Sequence, residues 1–171
     1  MKRIKIILGI ISGLTLIFFT TGLFVKETNY TTIVEVNKPL ENVFETFNQI
    51  EDIKNWIPEV KTVNVITKSL GKTGSIYKIV IDANDQEITM TQKIVAYVPN
   101  EKVTVFYDAE NMLKTNDYIF EEKNGVSKIT LNSTCRSDSY IMACMFPYFK
   151  RTFKEQDQGY LNNFKSYIER K

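Results

Sequence analysis

The chain of 171 residues carries 22 Lys and Arg against 20 Asp and Glu and has no histidine. A net charge of +2 leaves too little basic excess for a nucleic-acid partner. Without imidazole the commonest general base and metal ligand are missing, and two cysteines are too few for a thiolate zinc site, so neither a metal nor a cofactor is expected.

The first element in chain order is Ile6 to Val25, twenty residues without a charged side chain. At about 1.5 Å rise per residue such a helix is about 30 Å long, the thickness of a bilayer's hydrocarbon core. The expectation is a single membrane crossing, with residues 1–28 as anchor and 29–171 as one domain. The rival reading is a cleaved signal peptide, which needs a shorter apolar core and a small-x-small cleavage pair. Thr20 and Gly22 make a poor pair, no Ala-x-Ala follows, and no cysteine stands there for lipid attachment. Lys2, Arg3 and Lys5 before the segment, against Lys26 and Glu27 after it, favour a cytoplasmic N-terminus and an extracytoplasmic domain. Gly9 and Gly13 form a Gly-x-x-x-Gly step, common in single spans and also suited to close contact between two of them.

From Lys26 onward the charge is nearly balanced, with 19 basic and 20 acidic residues. This length supports one domain with a real core and is too short for two. Tyr30 to Val36, rich in Thr, Val and Ile, reads as a strand stopped by Asn37-Lys38-Pro39. Leu40, Val43, Phe44 and Phe47 then recur at helical spacing, and a second short helix is expected from Ile50 to Trp56, ended by Pro58.

There the period changes to two. Val63 and Val65, then Tyr77, Ile79 and Ile81 after a Gly71/Gly74 turn, alternate as strands do. Gln86 to Val98 follows, with Ile88, Met90, Gln92, Ile94 and Ala96 on one side. Pro99-Asn100 turns the chain into Val103, Val105 and Tyr107. Asn111 to Glu122 and Val126 to Thr134 flank Asn124-Gly125, a strong hairpin signal. Six strands joined by short turns imply an antiparallel meander. The last segment returns to helical spacing, with Phe149, Phe153, Tyr160, Leu161, Phe164 and Ile168 in one stripe. Pro147 either starts or kinks this helix. Its apolar stripe needs cover, and the concave face of the sheet is the large surface available.

Cys135 and Cys144 enclose a ten-residue ring; a disulfide is open to them in an oxidising compartment, but a strand-to-helix junction favours two buried thiols.

The stretch Val36-Asn37-Lys38-Pro39-Leu40-Glu41-Asn42-Val43-Phe44, the exit Trp56-Ile57-Pro58-Glu59-Val60 and the closing Leu161-Asn162-Asn163-Phe164-Lys165-Ser166-Tyr167-Ile168-Glu169 resemble the START-like, or SRPBCC, superfamily. It includes lipid-transfer and polyketide cyclase/dehydrase-like proteins. The resemblance spans about residues 30 to 170 and implies an α+β helix-grip fold of order β-α-α-β6-α, a seven-stranded curved antiparallel sheet around a long C-terminal helix. It further implies a hydrophobic or amphipathic, lipid-like ligand held between the two.

Strand parity would line that space with Tyr77, Met90, Gln92, Tyr107, Asn116, Tyr118 and Phe120, joined by Phe149 and Phe153 from the helix. Gln92 and Asn116 stand out, because a buried amide is costly unless protein, water or ligand bonds it. The alternative is a parity slip across a bulge that turns them outward. Three functions follow: a non-enzymatic, membrane-tethered binder, a polyketide cyclase-like enzyme, or an interaction domain of the cell envelope. An enzyme would need an ionisable side chain in the cavity, Asp108 and Asp117 being the carboxylates to watch.

Overall fold

The computed structural model describes residues 2–83 and 86–171. Helix α1, Lys2–Phe24, leads by a three-residue link into strand β1, Thr28–Val36. Helix α2, Leu40–Phe47, and a 3-10 segment, Ile50–Asn55, follow. Then come β2, Val60–Thr67, β3, Ile76–Ala83, β4, Gln86–Val98, β5, Lys102–Ala109, β6, Met112–Lys123, and β7, Val126–Arg136. Helix α3, Tyr140–Arg170, closes the chain.

The strands form one antiparallel sheet in the order β1-β7-β6-β5-β4-β3-β2. Five successive neighbours are hairpin partners, and β1 closes onto the last strand with Val36 opposite Ser127 and Thr28 opposite Cys135. Asn124 and Gly125 both adopt positive φ, 55° and 76°, the geometry a two-residue hairpin demands. Alternation along β1 is complete: Thr28, Tyr30, Thr32, Val34 and Val36 are buried and the residues between them exposed.

Helix α3 covers the inner face and runs in the same direction as β1. Gln158 Nε2 donates to the Ile33 carbonyl, Lys165 Nζ to the Glu35 carbonyl, and the Asn37 N–H to Glu169 Oε1. Leu161, Phe164 and Ile168 bury the stripe that the spacing foretold. Beneath them lies an aromatic cluster around Phe47, whose ring centroid is 5.2 Å from Trp56, 4.8 Å from Tyr118 and 5.1 Å from Phe164.

Two features of α3 add to the sequence reading, which left Pro147 either starting or kinking the helix. It begins at Tyr140, well ahead of Pro147, which therefore sits inside the helix and leaves Ala143 without the N–H that residue 147 would otherwise supply. This early portion packs on α1. Phe18 stacks on Tyr148 and Phe19 on Tyr140, Thr21 hydrogen-bonds Tyr148, and Gly22 lies so close that a Cβ there would collide with Cys144 Sγ. Cys144 thus faces α1 while Cys135 faces the interior beside Tyr30, which explains two free thiols. Elsewhere α1 is exposed, and it is long and apolar enough to cross a membrane, a test that a signal sequence also passes.

Candidate functional site

Between sheet and α3 lies a cavity of about 120 Å³ walled by Ile53, Trp56, Ile79, Met90, Leu131 and Leu161, with Lys114, Asn116 and Asp157 at one end. A smaller space of about 50 Å³ lies beside it, walled by Phe47, Tyr77, Gln92, Ile94 and Val103 among others. Ile53, Trp56, Tyr107 and Tyr118 belong to both linings and separate the two lobes.

Of the residues expected here, Tyr77, Gln92, Tyr107 and Tyr118 line the smaller lobe, and Met90, Asn116, Tyr107 and Tyr118 the larger. Phe120 is buried in the aromatic core, edge-on to Phe44, and lines neither lobe. The two helix aromatics do not line the space. Phe149 is 44% exposed, because eight residues before Asp157, at about 100° each, it has turned about 80° off the sheet-facing stripe. Phe153 packs edge-on against Phe146, 5.5 Å away, in a satellite cluster with Tyr30 and Cys135.

Gln92 and Asn116 do face inward. A bulge exists in β4, between Ile94 and Ala96, but it falls after Gln92 and re-aims Tyr97, which packs on Phe44. Asn116 is bonded on both sides: Nδ2 donates to Tyr118 Oη at 3.1 Å and Oδ1 accepts from Ser133 Oγ at 2.9 Å. Gln92 Oε1 is buried without a partner among the described residues, as is Trp56 Nε1 in the same lobe. An acceptor and a donor left unpaired in one space are costly unless water or a ligand meets them.

The centre of the polar end is Asp157, 3% exposed on α3. Its Oδ1 accepts from Lys114 Nζ at 2.7 Å; its Oδ2 accepts from Tyr30 Oη at 2.9 Å and Ser133 Oγ at 3.0 Å. Ser133 has one proton for two acceptors, so it serves Asp157 and Asn116 in a shared or alternating bond. Three strands and the helix are thereby joined, β1, β7 and β6 to α3. Tyr107, on β5, lies beside Tyr118. Burial raises the phenols of Tyr30, Tyr107 and Tyr118 well above the ordinary tyrosine range, and the Asp157 charge adds to the rise in each. Tyr160, beside Glu59, is pushed up to about 12, burial again the larger cause.

Asp157 and Lys114 were not singled out by sequence reasoning, yet each sits at a readable position. Asp157 is four residues before Leu161 and seven before Phe164, on the buried stripe, and Lys114 is two before Asn116 on the same strand face. Asp108 is exposed and Asp117 pairs with Lys102 at 3.0 Å on the opposite face, so neither carboxylate points inward.

The architecture of this chain recurs in proteins of known structure. The Zhui aromatase/cyclase from Streptomyces sp. R1128 superposes over 84% of this chain and 94% of its own, with a TM-score of 0.72 at 12% identity. The chain has the START-like helix-grip fold. A START superfamily protein from Mycobacterium smegmatis matches 83% of this chain and 97% of its own, with a TM-score of 0.68 at 10% identity. Ara h 8.0201 matches 85% and 99%, with a TM-score of 0.68 at 14% identity. No family model and no curated relative matches the sequence. Identities this low establish the helix-grip architecture and leave the role of each residue to the chain's own chemistry.

Proposed function

We propose that this helix-grip domain binds a small amphipathic molecule while tethered to a membrane by α1. The cavity between sheet and α3, apolar on its walls and polar at one end, carries the reading. Its volume, about 120 Å³, is close to the roughly 150 Å³ of an apolar cavity that admits benzene. Sites for drug-sized ligands run from about 300 Å³. The occupant is therefore a single ring or a short chain with a polar end, smaller than the lipid-like ligand the resemblance implied.

The Tyr107 hydroxyl, on the wall shared by both lobes, is the group assigned here to point at a ligand. A carbonyl, hydroxyl or ether oxygen is the group it selects. The lining residues proposed for this contact are Met90, Tyr107, Asn116 and Tyr118, with Tyr77 and Gln92 in the second lobe and Lys114 at the polar end. An enzyme of the cyclase kind fits less well, because both oxygens of Asp157 already accept hydrogen bonds and a phenol held above its ordinary range is a weak acid. Lys2, Arg3 and Lys5 in the first turns of α1 support a cytoplasmic N-terminus with the domain on the far side of the membrane.

Native mass spectrometry of the full chain, released from membranes in detergent, tests the binding. A reproducible small amphipathic species bound to the parent chain and lost in Met90→Trp, which fills the larger lobe, is the expected result. A parent chain that emerges empty, and stays empty after exposure to a total membrane extract, overturns the proposal.

A further inference from the structure

The link between α1 and β1 is Val25, Lys26 and Glu27, which at about 3.3–3.6 Å per residue reaches no more than about 11 Å. A domain on so short a leash stays at the bilayer surface. The end of the domain that must face that surface is fixed by the ladder. Thr28 opens β1 opposite Cys135 near the end of β7, and α3 begins at Tyr140 on the same end. Moreover α3 touches α1 at Phe18, Phe19, Thr21 and Gly22, inside the apolar tract rather than beyond it. Whatever depth those α1 residues occupy in a membrane, the first turns of α3 share it.

The surface of those turns suits that depth. Tyr140, Ile141, Tyr148 and Phe149 are 45%, 58%, 58% and 44% exposed, and no acidic residue occurs from Tyr140 to Lys154. Lys150, Arg151 and Lys154 follow, three basic residues on a soluble part that from Lys26 onward is near neutral as a whole. Tyrosines at headgroup level, apolar side chains just below and lysines reaching for phosphates are the arrangement of an interfacial helix.

We infer that the N-terminal part of α3, Tyr140 to Lys154, is a second membrane contact that lies in the lipid headgroup layer against α1. It rests on the tether proposed above and goes beyond it, since it orients the domain. Met112, at the start of β6, and Met90 are half-buried and line the larger cavity toward this same end, so the contact sets that lobe facing the lipid surface.

The test is fluorescence quenching of the full chain in vesicles of phosphatidylcholine and phosphatidylglycerol, with bromines placed near the headgroups or near the chain ends. Native Trp56, 5% exposed in the core, supplies the unquenched baseline and reports folding. Added tryptophans are read one at a time. Ile141→Trp, with Tyr148→Trp as the second probe of the same face, is expected to lose most of its added emission to shallow bromines. Leu14→Trp in α1 loses its own to deep bromines, and Leu70→Trp, on the β2–β3 turn, keeps it. Quenching at residue 14 without quenching at 141 or 148 overturns the contact while leaving the tether standing, and assigns that face to a protein partner or a second copy. No quenching at residue 14 overturns the tether and this inference with it.

Discussion

The two parts of α3 obey different rules. From Asp157 to Ile168 one stripe is buried on the sheet, at positions 157, 161, 164 and 168, and the opposite face is wet. From Tyr140 to Phe149 two faces are engaged: Phe146 turns to Tyr30 and Cys135, while Tyr148, about 200° around the helix, turns to α1. The first part grips the domain's own core, and the second joins the domain to another helix. One continuous helix thus couples the polar end of the cavity to the surface proposed to meet the membrane, and the contrast predicts where substitutions damage folding and where they leave it intact.

The largest effect belongs to Asp157. Asp157→Ala strands the Lys114 ammonium, 14% exposed, and takes from the Tyr30 hydroxyl its carboxylate acceptor, while Ser133 keeps only Asn116. Breaking one side of a buried ion pair costs about 3–5 kcal/mol. Urea unfolding of the full chain in micelles, followed by Trp56 emission, should show a loss of that size. Removing both charges with apolar residues of similar volume, Asp157→Leu with Lys114→Met, should recover much of it, because no unpaired ion remains. A loss below about 1 kcal/mol for Asp157→Ala would sink the claim that the network holds the gripping part of α3 to three strands.

That network also shows what a sequence does and does not disclose. Helical and strand periods placed every element, because each buries one face and the apolar residues mark it. The Asn124-Gly125 turn and the covered C-terminal stripe were legible for the same reason. Asp157 was not, although it stands on that stripe, since a carboxylate on an apolar face reads as a break in the pattern until its partners on β1, β6 and β7 are known. Phe149 misled in the opposite sense. Spacing assigns it to the stripe, but periodicity is silent about which of two surfaces an aromatic meets when the helix outruns its sheet. The β4 bulge illustrates a third limit: a slip between Ile94 and Ala96 leaves Gln92 inward and exchanges Ala96 for Tyr97, and no local signal locates it.

A smaller effect follows from the tyrosines under the gripping part. Burial, with Asp157 or Glu59 nearby, raises the phenols of Tyr30, Tyr107, Tyr118 and Tyr160 above the unfolded value of about 10. The unfolded chain therefore releases these protons first. Stability from this source is complete below pH of about 10 and falls as pH rises toward about 12, where Tyr160 titrates, by about 1.4 kcal/mol per tyrosine per pH unit. Far-UV circular dichroism across that alkaline range should show a steep loss of urea resistance. Tyr107→Phe should make the loss shallower. A flat profile would mean that water reaches these phenols and that the polar end of the cavity is open.

The smallest effect is the most discriminating for the contrast within α3. If Phe149 were part of the cavity wall, as its spacing suggests, Phe149→Ser would remove a buried aromatic at a cost of about 3–5 kcal/mol. As an exposed residue on the part that packs on α1, it should change urea stability in micelles by no more than about 0.5 kcal/mol. The absence of a stability change then acquires meaning through the vesicle measurement. Phe149→Ser should weaken quenching of a tryptophan at residue 141 while Trp56 still reports an intact core, because the lost apolar side chain supported the helix in the headgroup layer and nothing inside the domain. A large loss of stability would return Phe149 to the core and erase the distinction between the gripping and the docking parts of the helix.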